Sequence, residues 1–573
     1  MQTQRAYQTH AECSSPLAGE GRGGGPTQHL PPPLAGEGLG GGPYSRRVGF
    51  IELVEVGYAF PGGRTLFDKI SFKVPDGERV ALVGANGVGK TTLLRLIADA
   101  DEQHSGTIRV IGRLARMPQL VHDPSSSATL RGLLLAQAPV ALARVGAALV
   151  AAEREMQTSP TEAAGIAYAD AVSRWGELGG YELEVSWNAA CMEAVGEPFE
   201  TIGARVAHTF SGGELKRILL EALFRSAAEV LLLDEPDNFL DVVGKEWLEA
   251  TMTASRKTIL YVSHDREFLG NTSTEIVTLE AKGSWTHPAS FGSYEEARQA
   301  RIAGLEEDHR RYQEQRSALI ATLKEYRRRA QSSDAWGPKV RAAQSRLRLF
   351  DEKTELVERP RDQKVTIRLG GGRTGTIAMR VKALAFPGLT QPFSTEILFG
   401  QRVGVIGKNG TGKSQFVRLL AGQPVDHTGD WVLGARVKVG YFSQLHDSPH
   451  LARAAPLAVL TREGLDRTAA MGTLRRYELD GSADVPFEKL SGGQQARLQI
   501  LVLEVRGSTM LVLDEPTDNL DVASADALEY ALWKYEGTII AVTHDRWLLK
   551  SLQRFLVFGS DGRVTEADEP NWV

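Results

Sequence analysis

"VALVGANGVGKTTLLRLIA", residues 80–98, returns as "VGVIGKNGTGKSQFVRLLA" at residues 403–421. Each copy passes from an apolar, β-branched run ("RVALV", "RVGVI") through a glycine-rich turn into an amphipathic run, the pattern of strand, loop and helix. The shared spacing GxxxxGK[ST], Gly84 to Thr91 and Gly407 to Ser414, suits a loop whose backbone N–H groups face phosphates ahead of a helix N-terminus. Candidate nucleotide contacts are therefore Gly84, Asn86, Gly87, Gly89, Lys90, Thr91 and Thr92 in the first copy. In the second they are Gly407, Asn409, Gly410, Gly412, Lys413, Ser414 and Gln415. Lys90 and Lys413 would reach the terminal phosphates, and the Thr91 and Ser414 hydroxyls would face Mg²⁺.

The repeat continues in register. "FSGGELKRILLEAL" from Phe210 matches "LSGGQQARLQILVL" from Leu490, "VLLLDEPDNFLD" from Val230 matches "MLVLDEPTDNLD" from Met510, and "VSHDREFL" from Val262 matches "VTHDRWLL" from Val542. The Ser, Asp and His landmarks of these pairs are each 280 residues apart, so one unit has been used twice. "LLLDEP" and "LVLDEP" read as buried strands ending in paired acids. Asp234 and Asp514 are placed to hold Mg²⁺, and Glu235 and Glu515 to polarise an attacking water. An Asp-Glu pair after a strand can also be only a helix cap, but here the strand is the expected partner of a phosphate loop. His264 and His544 each lie 30 residues beyond the Asp-Glu aspartate, and this matched placement favours a γ-phosphate contact.

"SGGE" and "SGGQ" go beyond what a phosphate loop requires, and resemble the signature motif of ATP-binding cassette proteins. The resemblance covers residues 48 to 573 and implies further roles. Gln119 in "ARMPQL" and Gln444 in "GYFSQL" resemble the Q-loops that help hold the metal. Phe60 and Phe386, both in "AFPG", resemble the aromatic stacked on adenine, and His264 and His544 resemble the switch histidines. In that family each ATP lies between the phosphate loop of one cassette and the signature of the other. One site would then join Lys90, Thr91, Gln119, Asp234, Glu235 and His264 to Ser491, Gly492 and Gly493. The other would join Lys413, Ser414, Gln444, Asp514, Glu515 and His544 to Ser211, Gly212 and Gly213. Both keep a full set, which implies ATP hydrolysis at both with ATP and Mg²⁺ as cofactors.

Two cassettes on one chain resemble the ABC-F class, whose characterised members mostly act on ribosomes. From Lys90 to Ser211 is 121 residues, but from Lys413 to Ser491 only 78. The extra length falls where the class inserts a helical arm, and the Ala-rich stretch at about 130–181 reads as helical. The chain also departs from the class pattern of Thr-Asn-His-Leu-Asp after Asp-Glu-Pro. Asp237 and Phe239 stand for Thr and His in the first half, Asp518 and Asn519 for Asn and His in the second, and Gln415 stands where the first loop has Thr92. These departures put the relative rates of the two sites in question.

Between the cassettes, apolar residues keep a seven-residue beat: Leu305, Tyr312, Leu319 and Tyr326, then Val340, Ala343, Leu347, Phe350 and Val357 at a and d spacing. Two helices packed on each other are expected, with Gly337-Pro338 breaking the run and Trp336 at the tip. "KEYRRRAQSSDAWGPKVRAAQSRLR", residues 324–348, has eight Lys or Arg against two acids in a chain of net charge −5. Charge runs commonly only solvate a coiled coil, but here they concentrate at the turn. Arg327, Arg328, Arg329, Trp336, Lys339, Arg341, Arg346 and Arg348 are candidate RNA contacts. The class resemblance implies as partners rRNA and the P-site tRNA near the peptidyl-transferase centre of the ribosome.

The expected fold is α/β: two tandem ATP-binding cassette domains joined by a long helical hairpin, with a helical arm in the first. The boundaries are a low-complexity tail at 1–47, cassette 1 at 48–293, the hairpin at 294–364 and cassette 2 at 365–573. The tail repeats "PLAGEGRGGGP" as "PLAGEGLGGGP", a composition that cannot pack, so a disordered extension is expected, with translated upstream sequence and a start near Val48 as a further reading of it. Cys13 and Cys191 are too few and too far apart for a disulfide framework or zinc site, which fits a cytoplasmic protein. The most apolar stretch, residues 132–152, is interrupted by Gln137, Pro139 and Arg144, so no membrane insertion is expected. A monomer that closes on itself and regulates or rescues translation is the leading reading. Alternatives are an antibiotic-resistance protein protecting the ribosome, the motor subunit of a transporter, and a DNA-repair ATPase.

Overall fold

The structure, a computed structural model, describes residues 49–99, 104–117, 127–353, 365–372, 374–443, 451–518 and 520–570. The tail at 1–47, Gln119, Gln444, Val357 and Asn519 lie outside these residues. The architecture is the expected α/β repeat. In the first half, strands Leu114–Arg116, Val230–Asp234, Thr258–Val262, Arg79–Val83 and Glu275–Leu279 lie side by side in that order, all parallel, and Ser284–His287 closes the sheet antiparallel. Strands with parallel neighbours on both edges are covered on both faces, so their residues are apolar without alternation. Val230 to Leu233 and Thr258 to Val262 are buried throughout. The second half repeats the order with Val439–Phe442, Met510–Asp514, Thr538–Val542, Arg402–Gly407, Arg554–Phe558 and Val564–Ala567. A three-stranded antiparallel sheet accompanies each.

This topology places the chemistry. In each half three adjacent strands deliver, at their C-terminal ends, the glycine loop, the Asp-Glu pair and the histidine.

The arm is helical, as expected, and its helical structure runs on past residue 181: Leu130–Gln137, Val140–Thr158, Glu162–Glu177 and Gly180–Val195. Gly146 lets the second of these pack closely, since a Cβ there would lie 2.3 Å from Leu135 and 2.9 Å from Trp175. The linker is a hairpin of Tyr294–Ala330 and Gly337–Lys353. At 1.5 Å per residue the 37-residue first helix is about 55 Å long. Tyr312 stacks on Phe350 with ring centroids 5.1 Å apart, and Asp351 accepts from the Tyr312 hydroxyl (3.0 Å) and Arg316 (2.8 Å), which zips the two helices. One expectation is corrected here. Gly337-Pro338 does not form the turn; it opens the returning helix, where a proline without an N–H is tolerated, and the turn lies at residues 331–333.

The cassettes face each other through reciprocal ion pairs. Arg266 bonds Asp526 and Glu529 of the second half, while Arg546 bonds Glu249 of the first and lies 3.8 Å from Glu267.

Candidate functional site

The glycine loops adopt conformations that the strand ends impose. Gly84 and Gly407 have φ of 152° and 143°, and a Cβ on either would lie 2.8 Å from the carbonyl of Leu279 or 2.3 Å from that of Phe558. Only glycine fits so close to a neighbouring strand at such a dihedral. Behind each loop the buried lysine folds back onto it. Lys90 Nζ donates to the carbonyls of Gly84 (2.8 Å) and Ala85 (3.3 Å), and Lys413 Nζ to those of Gly407 (2.6 Å) and Lys408 (2.7 Å). Burial lowers both lysine pKa values; Asp521, Glu235 and Asp234 partly restore the first, and Glu515, Asp241 and Asp514 the second.

Glu235 and Glu515 both stand at positive φ, 48° and 49°, a left-handed conformation that a glutamate adopts only when its surroundings hold it there. The hold is visible: each backbone N–H donates 2.9 Å to the end of the histidine strand, at the carbonyl of Val262 or Val542. Glu235 Oε2 accepts from Asn238 Nδ2 at 2.6 Å, and its Oε1 lies 3.9 Å from His264 Nε2. Glu515 Oε2 accepts instead from the backbone N–H of His544 at 3.0 Å, with Oε1 3.6 Å from the imidazole Nε2. Burial, reinforced by Asp234 and Asp237, pushes Glu235 up to about 7, and burial with Asp518 and Asp514 raises Glu515 well above its usual range. Burial pushes His264 down to about 3 and His544 well below its usual value, so both imidazoles are neutral donors or acceptors near pH 7.

Asp234 and Thr91 fit a hard divalent cation. Both Asp234 oxygens are sealed from solvent without a hydrogen bond of good geometry, and such a carboxylate calls for a positive partner. Burial raises its pKa, and the neighbouring Thr91 hydroxyl and Arg116 offset part of that shift. Among the described residues no cluster of three or more His, Cys, Asp or Glu could hold a metal ion. One carboxylate and a hydroxyl suit Mg²⁺, which commonly shares its shell with phosphates.

The signature segments cap helices. Ser211 and Glu214 satisfy each other's backbone N–H groups at the start of Gly212–Arg225, and Ser491 and Gln494 do so at the start of Gly492–Arg506. The first signature meets the second glycine loop: a Cβ on Gly213 would lie 3.2 Å from Asn409 Nδ2, whose amide donates to the Phe239 carbonyl at 3.2 Å. Between them lies a cavity of about 590 Å³, bounded by Ser211, Gly212 and Gly213 on one side and Gly410, Gly412, Lys413, Ser414 and Gln415 on the other. Asp514, Glu515 and His544 line the same cavity. At the first loop, the N–H of Asn86 donates to Asp521 Oδ2 of the other half at 3.1 Å.

Of the aromatic pair, Phe60 is 42 % exposed, but Phe386 is 1 % exposed and packed in the core with Phe393, Phe416 and Phe558. The stacking role expected for Phe386 is therefore withdrawn; Leu389, three residues on, is the apolar side chain that lines the cavity. Lys216, Asn238 and Lys245 were not singled out in the sequence. Lys216 Nζ donates to the Glu235 carbonyl at 2.7 Å and is pushed down to about 8 by burial. The signal was a lysine at a buried helix position, in register with Ala496 of the second half.

At the hairpin tip, Trp336 lies between cations, with Arg329 Cζ 5.0 Å and Lys339 Nζ 4.2 Å from its ring and Tyr326 at 5.7 Å. It braces the turn. Arg327, Arg328, Lys339, Arg341, Arg346 and Arg348 are exposed, though Glu325 pairs Arg328 (2.9 Å) and Arg329 (2.8 Å), and Glu352 lies 3.6 Å from Arg348.

Comparison with known proteins agrees with this geometry. The model of the ABC transporter family matches residues 67–238 and 390–518. A Mycobacteroides abscessus protein named "Antibiotic resistance protein" is 45% identical over 549 residues, covering 91% of this chain and 100% of its own. The Haemophilus influenzae energy-dependent translational throttle protein is 28% identical, over 89% of this chain and 92% of its own. ABC transporter F family member 2 of Arabidopsis thaliana is 30% identical, over 88% and 76%. Among solved structures, one titled "RNase-L Inhibitor" shares the fold with a TM-score of 0.52 at 18% identity, covering 90% of this chain and 89% of that one. No helix among the described residues is long and apolar enough to cross a membrane. With two matched cassettes, a head-to-tail cavity between them and relatives aligned along nearly the whole chain, the protein belongs to the ABC transporter family, in its F class of fused cassettes.

Proposed function

We propose that this chain is a cytoplasmic ATPase that binds the ribosome in its ATP-bound, closed form and leaves after hydrolysis, regulating or rescuing translation. The observation that carries the reading is the cavity that unites Ser211 and Gly213 of one cassette with Lys413, Glu515 and His544 of the other. A nucleotide there is complete only when the halves are closed, so ATP becomes the switch for shape. The site of Lys90 pairs in the same way with Ser491 and Gly493. The units are cassette 1 at 48–293, the hairpin at 294–364 and cassette 2 at 365–573.

At each site the glutamate polarises a water for in-line attack on the γ-phosphate, with the histidine oriented beside it. The buried lysine and the signature helix N-terminus, Gly212 and Gly213 or Gly492 and Gly493, stabilise charge on the transferred phosphoryl group. Thr91 and Asp234, or Ser414 and Asp514, would hold Mg²⁺, which would supply positive charge at the phosphates. Phe60 offers an exposed ring to the base of the first nucleotide. The hairpin, about 55 Å long with exposed arginines at its end, reaches RNA that the cassettes cannot. P-site tRNA and rRNA near the peptidyl-transferase centre are its targets; the name of the translational throttle relative supports translation as the process.

The test is sedimentation of the Glu235→Gln, Glu515→Gln variant with ribosomes: ATP-dependent co-sedimentation is expected, and its absence overturns the reading. A second reading, protection of the ribosome against an antibiotic, is favoured by the name of the 45% identical relative. Under it, expression raises the tolerated concentration of a ribosome-targeting drug severalfold; unchanged tolerance across such drugs leaves the translation factor alone.

A further inference from the structure

From the signature serines onward the two halves follow one register of 280 residues, and near their contact three charged positions break it. Lys245, Asp237 and Asp518 stand against Ala525, Thr517 and Asn238. All three charged residues line the cavity that also holds Lys413, Glu515 and His544. Lys245, from the helix Val242–Ala254 of the first cassette, donates to Asp265 Oδ2 at 2.8 Å and, across the boundary, to the backbone carbonyl of His544 at 3.3 Å. Asp237 and Asp518 both act on its charge. The neutral set at the matching positions contains no cation for His264 to meet.

His544 is thereby held through both of its backbone polar groups, one on each side of its Cα. Its N–H donates to Glu515 Oε2 at 3.0 Å, and its carbonyl accepts from Lys245. At the other site Glu235 takes its short bond from Asn238, and the imidazole stands 3.9 Å away rather than 3.6 Å. Asp265, the other partner of Lys245, also accepts from the N–H groups of Glu267 and Phe268, so its place does not depend on the lysine alone.

We infer that Lys245 is a positioning residue acting in trans: when the cassettes close it fixes the His544 segment, and through it Glu515, so that the site of Lys413 turns over faster than the site of Lys90. Rates fall steeply when a reacting group is displaced by a fraction of its working distance, so an anchor supplied only by the opposing cassette makes hydrolysis conditional on closure. The inference rests on the reading of Glu235 and Glu515 as the groups that polarise water.

ATP turnover of the full chain in two parents tests it, Glu235→Gln leaving the site of Lys413 active and Glu515→Gln leaving that of Lys90. The first parent is expected to be the faster. Within it Lys245→Met lowers kcat by about tenfold or more with KM within about twofold, and Lys245→Arg regains a large part of the loss. In the second parent Lys245→Met changes kcat by less than about threefold. A loss shared equally by the two parents, no loss in the first, or a loss carried by KM overturns it. Should Lys245→Met not fold, Lys245→Gln is read in the same two parents against the same criteria. A double Gln variant with wild-type turnover defeats the assignment of the glutamates themselves; an inactive double variant without the split between parents defeats only Lys245.

Discussion

The side-chain amide of Asn409 donates to the backbone carbonyl of Phe239 at 3.2 Å, which ties the glycine loop of one cassette to the segment after the paired acids of the other. Phe239 has φ of 68°, and this left-handed turn aims its carbonyl across the boundary. Asn409→Ala removes one partly exposed neutral hydrogen bond, worth ~1 kcal/mol, and is expected to raise the KM for ATP about threefold to fivefold with kcat changed less. Steady-state turnover against ATP concentration checks it.

The closed arrangement also rests on the paired arginines. Arg266 with Glu529 and Arg546 with Glu249 are the same contact seen from the two halves, since both pairs of positions are 280 apart. The arginines are nearly buried, so truncation leaves acids facing the boundary without a cation. Arg266→Ala with Arg546→Ala is expected to shift the opening equilibrium by ~2 kcal/mol or more. A distance probe between the cassettes, read with ATP in a hydrolysis-deficient background, should then report mainly the open form.

Asp518 links the same boundary to pH. Burial, with Asp237 and Asp545, pushes its carboxyl up to about 6 against the opposing pull of Lys245, from 3.8 in a free chain. A carboxyl whose folded pKa is raised binds its proton more tightly when folded, so its stability contribution is present at low pH and is lost as pH rises from about 4 through about 6. The melting temperature of the wild-type chain relative to Asp518→Asn should therefore be higher at pH 5 than at pH 7. The opposite order, or no difference, contradicts the burial of that charge.

The hairpin tip separates charge from chemistry. Arg327→Glu, Arg328→Glu and Arg329→Glu together should weaken ribosome binding by about tenfold or more at moderate salt and flatten its salt dependence, while leaving ribosome-free ATP turnover within about twofold. Trp336→Ala should have a smaller effect on binding but loosen the turn, because Arg329 and Lys339 lose the ring they lie against. Salt-dependent co-sedimentation distinguishes the two.

Much of this molecule was legible in its sequence because the repeat supplies its own control. An Asp-Glu pair and a histidine found twice at one spacing, each downstream of a glycine loop, point to equivalent strand ends, and they occupy them. The heptad beat likewise gave the hairpin, with Tyr312 and Phe350 meeting as the pattern requires. What failed was local. "AFPG" occurs in both halves, yet Phe60 is exposed and Phe386 is buried, because the surrounding packing decides which way the ring turns. Gly337-Pro338 read as a break, but proline is as compatible with a helix's first turn as with its end. Lys245 was invisible in one dimension: its partners lie 20 and 299 residues away, and only the contact between cassettes gathers them.

Most direct is a measurement of whether each ATP site is built from both halves. Ser211→Arg places a bulky cation in the first signature, against the loop of Asn409 and Lys413. In the Glu235→Gln parent, where only the site of Lys413 is active, turnover should fall to background. In the Glu515→Gln parent, where only the site of Lys90 is active, a substantial fraction should remain. Turnover that instead survives in the first parent and vanishes in the second would assign Ser211 to the nucleotide of its own cassette and contradict the head-to-tail arrangement.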